Sequence, residues 1–144
     1  MTTRLKNALR LTESLADALT DADLTRRNGS APSNPIAGQL WCLVGARESH
    51  AKAIAAARWS GFSCSLGGDD VKRVASIREA LVASRTATLD TIAEHDMTDE
   101  RLGIVFDLLE HEVQHHGQLI RYFYANGLAF PDEFAQRYSL QQRG

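Results

Sequence analysis

The sequence contains few of the residues that mark a specialised class of protein. Its 144 residues include only two cysteines, three prolines and 7% aromatic residues. Cys42 and Cys64 lie far apart and form no paired motif, so no disulfide framework is indicated. We therefore interpret both cysteines as ordinary thiols and expect a reduced, cytoplasmic setting.

An excess of charge of either sign is also lacking. The chain has 16 basic and 18 acidic residues, a net charge of −2, and the two signs are mixed along its length. No basic arm or stripe is present, which argues against a nucleic-acid partner. The N-terminus has no apolar signal core, and the longest uncharged stretch, 28–46, contains proline, serine, asparagine and glycine. We expect no secretory signal and no membrane span.

Apolar residues instead recur at helical spacing, three and four positions apart, in four segments. A short alternation at Phe62, Cys64 and Leu66 does not suffice for a sheet. The pattern predicts an all-α protein, a single domain over 1–144 built as a four-helix bundle, with a tail that carries Pro131 and Phe134. The first predicted helix runs from about Thr3 to Leu19, and the second begins at a cap, Ser33 or Asn34, with Pro35 as its first residue, and ends near Trp59. The third begins at a cap, Asp69 or Asp70, and ends near Glu94. The fourth begins at a cap, Thr98, and ends at Asn126-Gly127.

Two histidines, His111 and His115, stand one turn apart in the fourth predicted helix. Residues four apart share a helix face, so both imidazoles can reach one metal ion. The same stripe is otherwise apolar, which predicts that the two rings are buried. A buried neutral imidazole needs a partner for each ring nitrogen, and a metal ion is one such partner. The stripe consists of Ile104, Leu108, His111, His115, Leu119 and Tyr122.

A third histidine, His50, falls on the apolar stripe of the second predicted helix. Together His50, His111 and His115 would supply three nitrogen ligands and leave positions open for water or substrate, as catalytic sites do. Such ligands suit zinc, nickel, iron or copper. His116 is rotated by about 100° from His115 and is expected to lie outside the metal's ligand shell. His95, in the turn before the fourth helix, is expected to be solvated.

The segment 111–115 also matches two shorter signatures, neither of which the rest of the sequence supports. It reads H-E-x-x-H, with Glu112 as the base of a zinc protease, but no strand is available to hold a peptide. It also contains the Glu-x-x-His of di-iron bundles, which need a second copy. Glu112 lies off the predicted stripe, so we interpret it as a surface carboxylate. Arg47, one turn before His50, is expected to pair with an acid rather than with a substrate anion.

Taken together, these residues resemble the DinB/YfiT-like metalloprotein superfamily. That family shows a histidine late in the second helix, then H-x-x-x-H followed by Arg-Gly-Gln and an apolar-aromatic run. Here His50 is followed by the segment 111–122, with Gly117-Gln118 after the histidines, and by Gly127, Pro131, Asp132 and Phe134. The chain departs from the pattern at His116, where the family has arginine.

The resemblance implies a DinB/YfiT-like four-helix bundle with a metal on His50, His111 and His115, often as a homodimer. It also implies a metal-dependent transferase that uses a small-molecule thiol, such as bacillithiol, mycothiol or glutathione, against an electrophilic substrate. The metal would bind the thiol as a thiolate, its nucleophilic form.

Two other functions stay open at the level of sequence. One is a non-catalytic metal-binding or stress-response bundle, and the other is a metal-dependent hydrolase. The catalytic functions require a pocket above the metal. Candidate residues for its rim are Trp41, Arg47, Gln118 and Tyr122.

Overall fold

A computed structural model describes residues 2–142, and within them every regular element is helical. The sequence-based prediction of an all-α chain is therefore confirmed for this part of the molecule. No described helix combines the length and the apolar character needed to cross a bilayer. The α-helices are α1 (Thr2–Asp17), α2 (Ile36–Ala56), α3 (Val74–Glu94), α4 (Asp99–Ala125) and α5 (Asp132–Tyr138), with 3₁₀ turns at Asp21–Thr25 and Gly68–Lys72.

The four long helices correspond to the four predicted ones, and their ends follow local chemistry. Thr98 caps α4, as predicted, by accepting a hydrogen bond from the backbone N–H of Arg101. The end of α2 differs from the prediction, because Ala57 takes a left-handed conformation with φ of 57° and stops the helix before Trp59.

The start of α3 also differs from the prediction. Asp69 and Asp70 lie in a 3₁₀ turn rather than at the cap of the helix. The first backbone N–H of α3, that of Val74, instead donates to the carboxylate of Asp21 at 2.8 Å. A cap supplied from 53 positions away leaves no local pattern in the sequence.

In the packing, α1 and α2 each lie against both α3 and α4, and α5 lies against α1. The apolar core has two parts, and buried polar side chains separate them along the helices. On α1, α2 and α4 these are Thr12, Arg47 and Glu112. The larger apolar part includes Leu15, Leu43, Leu119, Phe123 and Phe134, and the smaller includes Leu5, Leu9, Ile54, Val105 and Leu108.

The buried face of α4 is rotated from the predicted stripe. Leu108, His115, Leu119 and Tyr122 are buried as expected, whereas Ile104 and His111 are only half-buried. Against expectation, the buried face of α4 also includes Val105, Glu112, His116 and Phe123. His111 consequently lies at the edge of the core.

Candidate metal centre

The two predicted histidines of α4 meet across one helical turn. Nε2 of His115 lies 3.2 Å from Nε2 of His111, and the ring centroids are 4.5 Å apart. His115 is buried and His111 is half-buried. The two atoms that could ligate a metal therefore point to a common position.

The third member of the group is Cys42 of α2. Its Sγ lies 3.6 Å from Nε2 of His111, and potential ligand atoms of Cys42, His111 and His115 all lie within 4.8 Å of one another. This group could hold a metal ion. Our interpretation of Cys42 as an ordinary thiol missed it. A usable signal was present, because Cys42, Ala46 and His50 recur at four-residue intervals on one ridge of α2.

The distances from Nε2 of His111 to the other two potential ligand atoms suit a tetrahedral ion. With zinc–nitrogen bonds of about 2.0–2.1 Å and a zinc–sulfur bond of about 2.3 Å, tetrahedral angles place two nitrogens about 3.3 Å apart and sulfur about 3.6 Å from nitrogen. The observed separations are 3.2 Å and 3.6 Å. The donor set of two imidazoles and one thiol also suits zinc and other borderline or soft transition metals.

Gln39 orients the inner histidine. Its Oε1 lies 2.6 Å from Nδ1 of His115, and its Nε2 donates to Oδ1 of Asn34 at 3.0 Å. Asn34 is in turn bonded by the hydroxyl of Tyr122. Because the amide oxygen can only accept, Nδ1 of His115 carries the proton and Nε2 carries a lone pair. Partners of this kind fix the tautomer of metal-binding histidines.

The outer histidine is less completely bonded. Nδ1 of His111 is buried and has no hydrogen-bond partner among the residues described. Its Nε2 can donate a proton to His115 or direct a second lone pair toward the same position. A cation between the rings would be bonded by both lone pairs.

Burial keeps both imidazoles neutral. Loss of solvation lowers the pKa of His111, and it lowers the pKa of His115 to about 4, with the nearby His111 acting in the same direction. Burial also raises the pKa of the Cys42 thiol. A divalent cation would offset this effect, because it favours the thiolate.

His50 lies beside this group. Its ring centroid is 6.5 Å from that of His111 and 4.9 Å from that of Trp59. Nδ1 of His50 donates to the carbonyl of Ala46 at 2.7 Å, which leaves a lone pair on Nε2. A set of His50, His111 and His115 acting together on one ion stays a prediction.

A pocket of about 380 Å³ reaches the group from solvent. Cys42, His50 and His111 lie in its wall, and the rest of the wall is mainly apolar. Phe62 is held over α2 because Gly45 has no side chain; a Cβ there would overlap the aromatic ring. The other lining residues are Ala46, Trp59, Ile104 and Asp107.

Glu112 is not the surface carboxylate that we predicted. It is fully buried and binds the equally buried guanidinium of Arg47, Nη2 to Oε1, at 2.5 Å. Arg47 also donates to the carbonyls of Leu9 and Leu81. The prediction that Arg47 pairs with an acid is confirmed. The pair allows a charged residue inside the bundle, which periodicity alone cannot indicate.

His116 lies in the same buried layer, away from the candidate ligand group. Its Nε2 is 2.7 Å from Oγ1 of Thr12, and its Nδ1 is 2.6 Å from the hydroxyl of Tyr138. Thr12 donates to Glu112 at 2.6 Å. Loss of solvation lowers the pKa of His116 to about 4, so this ring is neutral near pH 7. His95 is only half-buried, and its Nδ1 donates to the carbonyl of Thr91.

The predicted rim residues have other positions. Arg47 is in the buried pair, and Tyr122 is buried and supports Asn34. Trp41 donates from its indole N–H to the carbonyl of Leu66, and Gln118 lines a different depression, with Arg121. None of the four lines the pocket at the candidate metal centre.

The chain matches no protein-family model, no curated protein and no solved structure.

Proposed function

We propose that this protein binds one transition-metal ion at Cys42, His111 and His115 and uses it to transfer a low-molecular-weight thiol to an electrophilic substrate. The observation that carries the proposal is the convergence of these three side chains, two of which, Cys42 and His111, line a mainly apolar pocket. Zinc suits the donor set best, and iron or nickel would also be accepted.

The chain's residues divide into those that hold the ion and those that face the pocket. Cys42, His111 and His115 hold it, and Gln39 keeps His115 in the required tautomer. A bound divalent ion supplies positive charge that stabilises the thiolate form of a thiol. Three protein ligands would leave room on the ion for a thiol or a water molecule, as in catalytic zinc sites.

His50 is the residue placed to move a proton. Its Nε2 carries a lone pair, because Nδ1 donates to Ala46, and the ring lies in the pocket wall. It accepts the proton of the incoming thiol. The sulfur then forms a bond to the electrophilic carbon while the bond from that carbon to its leaving group breaks, and His50 returns the proton to the leaving group.

The pocket wall indicates the kind of electrophile. Trp59, Phe62 and Ile104 present apolar surface, and Asp107 is the acid in the lining. No lysine or arginine is among the described residues of this lining. The electrophile therefore has an apolar body and no strong negative charge where it contacts the pocket.

The resemblance of His50 and the segment 111–118 to DinB/YfiT-like metalloproteins supports the same chemistry. Membership of that family, a homodimer and a cytoplasmic location stay predictions. The proposed ligand set departs from the family's three-histidine pattern, because Cys42 takes the place of His50.

Zinc binding tests the first part of the proposal. Equilibrium dialysis should give one zinc ion per chain for the unaltered protein. Loss of a residue that only hydrogen-bonds to a metal ligand typically weakens binding by about 10–100-fold. Cys42→Ser and His111→Ala each remove a ligand itself, so each should weaken zinc binding by more than this. Cys64→Ser is the matched control, because Cys64 is outside the group. Equal zinc affinity in all four proteins would refute the site.

Thiol binding tests the second part. Cobalt-substituted protein should change its visible spectrum on addition of glutathione, bacillithiol or mycothiol. No change with any of them would refute the transfer reaction and leave a metal-binding bundle. His50→Ala separates the alternatives further, since it should retain the ion and lose transfer. Loss of the ion in His50→Ala would mean a closed site with four ligands.

A further inference from the structure

A second pocket lies on the other side of α4 from the candidate metal centre. Leu109 and Val113 line it, and each is about 200° around the helix axis from His111. Its volume is about 420 Å³, within the range of small-molecule sites. The remaining lining residues come from α1 and α5: Arg4, Asn7, Ala8, Leu11, Arg137 and Tyr138.

Two arginines give this pocket a positive charge. Arg4 and Arg137 line it, and no acidic residue does so among the described residues. Neither arginine forms an ion pair or a side-chain hydrogen bond with any residue in 2–142. By contrast, the core arginine Arg47 and Arg85 are both paired with Glu13. Two guanidinium groups whose donors bond to no residue in 2–142 suit a carboxylate or a phosphate.

The tyrosine wall of the pocket is held in place from inside the bundle. Thr12 donates its only hydroxyl proton to Glu112, so it accepts from Nε2–H of His116. Nδ1 of that neutral ring then accepts the phenolic proton of Tyr138. The guanidinium of Arg137 lies 5.2 Å from the centre of the Tyr138 ring, a cation–π distance. The pocket is therefore preformed.

The floor of the pocket is apolar. Ala8 and Leu11 of α1 and Leu109 and Val113 of α4 form it, and Val113 is 39% exposed. An inorganic anion bound to the arginines would leave this apolar floor exposed to solvent. A molecule with an anionic head and an apolar body would satisfy both parts of the lining.

We propose that this pocket binds a small amphipathic organic anion, with its carboxylate or phosphate head on Arg4 and Arg137 and its apolar body on Ala8, Leu11, Leu109 and Val113. The site is independent of the proposed metal chemistry. Among the residues that the structure describes, the two pockets share none.

An NMR titration with octanoate tests the proposal. Octanoate should cause saturable shifts in the amide signals of Ala8, Leu109 and Val113. Arg4→Gln and Arg137→Gln should each weaken binding by about tenfold or more, because each removes charge-assisted hydrogen bonds. Arg121→Gln, which removes an equal charge outside this pocket, should bind octanoate like the unaltered protein.

Three further probes separate the contributions. Hexyl phosphate should bind at the same residues, and its affinity relative to octanoate identifies the preferred head group. Inorganic phosphate and 1-octanol should each bind at least about tenfold more weakly than octanoate. His111→Ala should bind octanoate normally, so failure of the metal site does not affect this result.

Several outcomes would overturn the proposal. One is the absence of saturable shifts from octanoate or hexyl phosphate. Another is unchanged affinity in both Arg4→Gln and Arg137→Gln, with the fold confirmed by circular dichroism. Equal binding of 1-octanol or of inorganic phosphate would reduce the site to an apolar patch or to charge attraction, and would also overturn it.

Discussion

Replacing Glu112 with glutamine should cause a large loss of stability, although the change is nearly isosteric. The substitution removes the negative charge that faces Arg47, and neither side chain of the pair is exposed to solvent. Breaking a buried ion pair from one side costs about 3–5 kcal/mol, because the remaining charge has no counterion. Arg47 would keep Glu13 at 3.5 Å and two backbone carbonyls. We therefore expect the lower end of that range, about 3 kcal/mol.

Urea unfolding at pH 7.5, followed by circular dichroism, measures this loss. Glu110→Gln is the matched control, since Glu110 is exposed on the same helix, and it should change the free energy of unfolding by less than about 0.5 kcal/mol. Arg47→Met combined with Glu112→Leu should recover part of the loss, because no lone charge stays buried. If the free energy of unfolding of Glu112→Gln lay within about 1 kcal/mol of the unaltered protein's, this account of the buried Arg47–Glu112 pair would be refuted.

Three further predictions concern the surroundings of the site. Gln39→Leu should weaken zinc binding by about 10–100-fold, and Gln118→Leu should not; equal affinities in dialysis would show that Gln39 does not orient the site. The pKa of His116 is about 4 in the folded state and has its ordinary value of 6.5 in the unfolded state. Below pH 6.5 the folded state therefore binds fewer protons than the unfolded state. The stability contributed by neutral His116 should be complete above pH 6.5 and should be lost by up to about 3 kcal/mol toward pH 4, and His115, whose pKa is also lowered to about 4, adds a decline of its own. In urea unfolding with chelator present, stability should therefore fall less steeply toward pH 4 in His116→Asn, and equal pH profiles for the two proteins would contradict this. Gly45→Ala should displace the ring of Phe62 from the pocket wall and change the tryptophan fluorescence spectrum. Gly103→Ala adds its methyl group in open space, so it should leave the spectrum unchanged and stabilise the fold by about 0.5–1 kcal/mol. Identical spectra for the two variants would contradict this packing of Phe62 against Gly45.

The sequence indicated the long helices well, because their apolar spacing and the Thr98 cap are local features. The start of α3 could not be predicted, since Asp21 caps it from a distant part of the chain. The seven residues of α5, Asp132–Tyr138, are too few for a periodic pattern. Its fixing contact, the bond from Tyr138 to His116, is also long-range.

At the site, the sequence predicted the convergence of His111 and His115, which depends only on helix geometry. Cys42 was missed because a single cysteine on an apolar helix is usually an ordinary buried thiol. The error at Glu112 has a related cause. Arg47 was expected to find an acid, but which acid it meets depends on how α2 and α4 pack, and this is not encoded in the pattern of either helix alone.

Cobalt titration of the metal-free protein tests the central claim most directly. Thiolate ligation by Cys42 should produce a sulfur-to-cobalt charge-transfer absorption that saturates at one ion per chain. The band should be present in Cys64→Ser and absent in Cys42→Ser. Saturation with no such band, or the same band in Cys42→Ser, would contradict a metal centre at Cys42, His111 and His115.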